Sequence, residues 1–141
     1  MEKVFVIAFG IIIILLGLLF FAAEWRVFSK AGEKGWKSLV PFYGLFISHH
    51  IVGMSHVWFI LEIIAWIAEL MFEMIKFPEA LVFWFGIVTG VFTLISGAVH
   101  LIKMCGCFSK GTGFKIGMLL IPELFLLILA FGKAEYQKPK R

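Results

Sequence analysis

Long apolar runs alternate with short basic connectors along this chain. The first run, residues 4–23, covers about 30 Å as a helix, one hydrocarbon thickness. It exceeds the roughly 7–15 apolar residues of a signal-peptide core, so it reads as a retained membrane helix. Residues 57–75 and 80–102 form two further runs, separated by the turn Lys76-Phe77-Pro78-Glu79. Residues 116–131 form the last. Residues 38–53 are shorter, with Pro41 near the start and His49 and His50 near the end. Pro is tolerated in a first helical turn, so this segment either just spans or re-enters.

The pattern predicts an all-α polytopic transmembrane helical bundle. Five spans are favoured, about 4–23, 38–53, 57–75, 80–102 and 116–131, with four plus a re-entrant segment as the alternative. Residues 1–132 form one membrane domain and residues 133–141 a basic tail. Cation placement chooses between the two. With five crossings, one side holds Arg26, Lys30, Lys34, Lys37, Lys76, Lys133, Lys138, Lys140 and Arg141. The other holds only Lys3, Lys103, Lys110 and Lys115. That nine-to-four split puts the C-terminus in the cytoplasm and the N-terminus outside; four crossings give seven against six.

Composition sharpens this picture. The chain of 141 residues is 62% hydrophobic with mean hydropathy +1.02. Soluble domains are about 45–50% apolar, and so short a chain cannot bury the excess within itself. The bilayer is therefore the expected partner, with a homo-oligomer or a membrane-protein partner left open. The net charge of +4 reads as topology signals and headgroup contacts rather than nucleic-acid binding. Trp25, Trp36, Arg26, Lys30, Lys34 and Lys37 are the expected interfacial anchors, with Phe108 and Phe114 at the opposite face. Asp and Asn are absent, which removes EF-hand loops, aspartyl dyads and N-glycosylation.

The connectors repeat a phrase. Phe28-Ser29-Lys30 opens one and Phe108-Ser109-Lys110 the other, and each leads to a proline, Pro41 or Pro122. Under five spans, helices 1–2 and 4–5 would form an inverted repeat, a known plan for transporters.

These connector residues also carry a resemblance. Lys30, Gly32, Gly35, Trp36, Pro41 and Tyr43, followed by Phe108, Lys110, Gly111, Gly113, Phe114, Pro122, Phe131, Gly132 and Tyr136, are arranged as in one protein family. The chain resembles small bacterial integral membrane proteins of unknown function. Related regions of that family sometimes precede signal peptidase I catalytic domains. The resemblance covers most of the chain outside the first and third helices. It departs at Gly44, where the family pattern has Asn, and at Glu123, where an apolar residue is usual. It implies a membrane fold and a bacterial membrane address, with no activity attached.

The candidate chemistry lies in the apolar runs. Glu62, Glu69 and Glu73 are seven and then four residues apart, on one helical face. Glu123 lies in the last run. Ionisable groups there cost about 2.5–3.5 kcal/mol each on insertion scales. Two readings follow: a proton or cation path, or interhelical hydrogen bonds that fix packing. His49, His50, His56, His100, Cys105 and Cys107 are weak metal candidates, since their spacing lacks a zinc pattern. Ser96 and His100 stand four apart, but oxyanion donors and a third group are missing. Gly86, Gly90, Thr93 and Gly97 offer small-residue helix packing. No enzymatic activity and no cofactor are expected. The favoured expectation is an accessory or scaffold component of a membrane process. The alternative is an ion- or proton-coupled channel or transporter subunit using the glutamates.

Overall fold

The computed structural model describes residues 1–139, so Lys140 and Arg141 of the expected tail lie outside the described residues. Six helices follow in order: α1 Glu2–Lys30, α2 Tyr43–Ile51, α3 His56–Ile75, α4 Glu79–Cys107, α5 Thr112–Leu120 and α6 Pro122–Phe131. A 3-10 turn at Gly35–Leu39 precedes α2, and no strand occurs among the described residues. The chain is thus all-α, as the pattern predicts.

Helices α1 and α4 are each 29 residues, about 43 Å, and among the described residues are the two long and apolar enough to cross a membrane. Helix α3 has 20 residues and carries Glu62, Glu69 and Glu73. Ser55 caps its start, accepting from Val57 N at 3.3 Å, and Lys76 ends it in the left-handed conformation.

The two shorter runs differ from expectation. Residues 38–53 do not form one helix. The 3-10 turn stops before Pro41, and Phe42 takes φ 63° in a tight turn closed by Tyr43 N donating to Pro41 O at 2.6 Å. Helix α2 then has only 9 residues, about half of a membrane crossing. The last run breaks too. Ile121 leaves helical geometry, Pro122 starts α6, and the chain doubles back so that Phe114 and Phe125 meet at 4.9 Å between ring centroids. Both bends need a bare backbone at one position. A Cβ at Gly44 would lie 3.0 Å from the carbonyls of Lys37 and Ser38, and one at Gly117 would strike the Phe125 ring.

Each long helix is therefore followed by a folded-back pair of short segments. The tips of both pairs reach a similar depth. Phe42 meets Trp66, ten residues into α3, at 5.3 Å between ring centroids. Pro122 lines a cavity with Phe20, ten residues before the end of α1. Ten residues of helix correspond to about 15 Å.

The C-terminal ends of α1, α2, α4 and α6 share one core. It contains Val27, Phe28, Ile51, Val52, Met104, Cys107, Phe108, Leu129 and Ala130. Residues 132–139 close it: Tyr136 donates to Ile51 O at 2.7 Å, and Gln137 N donates to Cys107 O at 2.6 Å. Phe28 and Phe108 thus lie at the same end of the molecule. The expected inversion would put the connectors at opposite ends. The two units instead run the same way, each short pair returning to the end where it began.

Candidate functional site

Helices α2 and α4 both pack against α3, which antiparallel pairing lays beside α4. Glu69 faces Thr89, Glu62 faces Ser96, and Trp58 stacks on Phe92 at 5.7 Å. Helix α2 lies in the cleft above this pair, with Phe46 against Phe59 at 5.4 Å. The cavity between these helices measures about 430 Å³ and is lined by His49, Glu62, Trp66, Glu69, Thr93 and His100, among others.

The polar contacts assign the protons. His49 is 2% exposed, and its Nδ1 lies 2.9 Å from Leu45 O, an acceptor only, so Nδ1 carries hydrogen and donates. Nε2 is left without a hydrogen-bond partner and faces Glu62 Oε2 at 3.6 Å. The other oxygen of Glu62, Oε1, accepts from the Ser96 hydroxyl. Glu69 Oε1 accepts from Thr89, and Thr93 donates to Thr89 O at 2.9 Å.

His100 joins this cavity to a second. Its Nε2 pairs with Ser48 Oγ at 2.8 Å, and its ring stands 5.4 Å from that of His49. The second cavity, about 270 Å³, lies between α1, α2, α4 and α6 and is lined by Glu24, Ser48, His100 and Glu123, among others. Ser48 sits in the body of α2, whose backbone amides serve the helix ladder.

The structure thus gathers Glu62, Glu69, His49 and His100, and brings Glu123 to the adjoining cavity. Glu73 is exposed and lines neither. His50 and His56 stack on each other at 6.2 Å. Cys105 and Cys107 are buried free thiols, and Cys107 lies 3.8 Å from Ile51 O. No group of three His, Cys, Asp or Glu placed to hold a metal occurs among the described residues. The expected close packing at Gly86, Gly90 and Gly97 is not made within the chain, for nothing lies within 4 Å of a Cβ built at any of them. Thr93 and Gly97 line the cavity instead.

The anchor residues hold the shared end. Lys30 Nζ donates to Leu129 O at 2.8 Å and to Gly132 O at 2.7 Å, closing the end of α6. Arg26 lies over the Phe131 ring at 5.7 Å, and the Trp25 ring packs on Gly35. Lys37 pairs with Glu33 at 2.6 Å, which raises its pKa, and Trp36 stacks on Tyr43 at 6.5 Å. Lys34 and Trp36 are exposed. Sequence reasoning missed Ser48, Thr89 and Glu24. The available signal was a hydroxyl or acid inside an otherwise apolar helix.

A family model matches residues 68–139, which is 72 of the 141 residues. The chain belongs to the family of unknown function DUF5684. The DUF5684 match takes in Glu69, Thr89, Ser96, His100 and the whole of α4, α5 and α6, while His49 and Glu62 precede it. No curated protein and no solved structure matches the chain.

Proposed function

We propose that this protein is an integral membrane unit that carries protons or small cations through the two linked cavities. The observation behind this is the His49–Glu62 pair. Nδ1 of His49 is committed to Leu45 O, so Nε2 and Glu62 Oε2 face each other across 3.6 Å as two acceptors unless a proton lies between them. A proton on either atom makes the pair donor and acceptor once they close to hydrogen-bond distance; none leaves lone pairs opposed, and two leave donors opposed. A group that holds one proton at a cavity wall is a relay element of the kind pumps and channels place inside membranes. His100 and Ser48 extend the line toward Glu123 and Glu24. A scaffold needs dry, satisfied carboxyls. The cavity and the unpartnered Nε2 weigh against that expectation and toward transport.

The proposal includes a topology. Helices α1, α3 and α4 cross, and the segments 35–51 and 112–131 enter and return from the end where they began. Lys3 and Lys76 then lie on one side. Arg26, Lys30, Lys34, Lys37, Lys103, Lys110, Lys115, Lys133 and Lys138 lie on the other, and Lys140 and Arg141 follow them in sequence. Two against eleven is a far stronger bias than nine against four, and it makes the shared end cytoplasmic. Reporter fusions in the 31–34 and 109–111 connectors should both read cytoplasmic. Opposite readings would restore five crossings.

Proteoliposomes with an imposed pH gradient test the activity. Wild type should carry flux that Glu62→Gln and His49→Leu abolish and Glu73→Gln retains. Equal flux in empty liposomes and wild type returns the protein to a scaffold role.

A further inference from the structure

The cavity between α2, α3 and α4 carries an unpartnered acceptor on its polar wall. The hydroxyl protons around it are already spent, Ser96 on Glu62, Thr89 on Glu69 and Thr93 on Thr89 O. The buried Nε2 of His49 has no hydrogen-bond partner and faces Glu62 Oε2 at 3.6 Å. No Lys or Arg among the described residues lines the space. A ligand completing this site brings positive charge and N–H donors together.

The rest of the wall is apolar and aromatic. Phe42, Leu45, Ile63 and Trp66 line it, and Phe42 and Trp66 stand with their rings 5.3 Å apart at the mouth. Trp66 follows Glu62 by one helical turn, so an apolar body held at these rings leaves its head at the carboxyl. A volume of about 430 Å³ is within the range of small-molecule pockets.

We infer that the cavity binds a protonated amine bearing an apolar, ring-sized body, its ammonium set between His49 Nε2 and Glu62 Oε2. This rests on the reading of that pair as the holder of one proton. The ammonium supplies the N–H groups that the shared proton supplied before. Binding therefore expels that proton to water, one per amine, and the charge at the site is unchanged. The class of ligand follows from the chemistry: a primary amine fits, whereas a quaternary ammonium has the charge but lacks the donors.

The test uses the full chain in lipid nanodiscs with 2-phenylethylammonium as probe, and empty discs as the partition control. Expected are saturable binding above that control and release of one proton per amine in weakly buffered medium. The N,N,N-trimethyl analogue should bind about tenfold or more weaker, the scale of a lost charged hydrogen bond. Glu62→Gln should show the same loss. Uptake equal to empty discs, equal affinity for the trimethyl analogue, or displacement of the amine by sodium at matching concentration each overturns the proposal. The comparison of the two probes on wild type decides the matter even where the variant does not fold. Failure here alongside proton flux that Glu62→Gln abolishes removes only the amine. Absence of both removes the proton reading as well.

Discussion

Two stretches of this molecule share one plan and use it differently. The first is α1 with the pair that ends in α2; the second is α4 with α5 and α6. Each has a 29-residue helix, a connector opening Phe-Ser-Lys, and a folded-back pair bent near a proline. Shifting the sequence by 80 residues overlays Phe28-Ser29-Lys30 on Phe108-Ser109-Lys110, and lays His49 on Leu129. Both of these are buried, at 2% and 0% exposure. One returning helix thus puts an imidazole where its counterpart puts a hydrocarbon. Helix α2 reaches α3 and α4 through polar atoms; α6 fills the core with Leu126, Leu129 and Ala130. The lesson is a division of labour: the same bend serves as a chemical element in one unit and as packing in the other. The two units run in the same direction, as in repeats related by an axis along the membrane normal.

The sharpest way to break the comparison is to make the units alike. His49→Leu gives α2 the residue of α6 and should abolish proton flux while α2 stays folded, as read by flux and circular dichroism together. Unfolding of the variant would mean that His49 serves packing as Leu129 does. Leu129→Ala should instead act on stability, by about 2–5 kcal/mol for a fully buried leucine, measured by denaturation in detergent, with flux retained in the molecules that remain folded. Lys30→Met should cost less, about 1.5–3 kcal/mol for charged hydrogen bonds to Leu129 O and Gly132 O. Lys103, on the long helix of the second unit, reaches Gly53 O at only 3.4 Å, and its loss should cost under about 1 kcal/mol.

Tyr136→Phe is the mildest change, about 1 kcal/mol for one neutral hydrogen bond to Ile51 O. It carries a pH signature. Burial raises the Tyr136 pKa above its ordinary value near 10. A raised folded pKa gives stability that is complete below the unfolded value and lost as pH climbs through the folded one. Wild type should loosen in that alkaline window, and Tyr136→Phe should not. Hydrogen exchange at Gln137, whose amide donates to Cys107 O, reports it.

Much of the site was legible. The seven-residue spacing of Glu62 and Glu69 placed both on one face, and both line the cavity. The re-entrant alternative for 38–53 was available because Pro41 and its short length were visible. Residues 116–131 hid the same break, because their apolar length matched a span and Pro122 reads equally as a first-turn proline. Direction was lost by counting 38–53 as a crossing, since one return read as a crossing reverses every later side assignment. Ser96 and His100, four apart on one helix, invited pairing with each other. Each instead bonds across helices, Ser96 to Glu62 and His100 to Ser48, and spacing along one helix carries no trace of that. Glu123 shows the converse: the sequence placed it with the other acids, and the fold puts it on a neighbouring cavity, where it remains exposed.

The docking of Tyr136 onto Ile51 also fixes an order of events during synthesis. Helix α2 leaves the ribosome long before the partners that hold it: Glu62 follows closely, His100 only after another 38 residues, and Tyr136 later still. Until α4 arrives, Ser48 in this nine-residue helix lacks its partner, the His100 ring. On the proposed topology, α2 would wait at the membrane surface and move inward only when α3 and α4 are in place. A chain stalled before α4 should then expose residues 43–51 to a water-soluble label that the finished protein excludes.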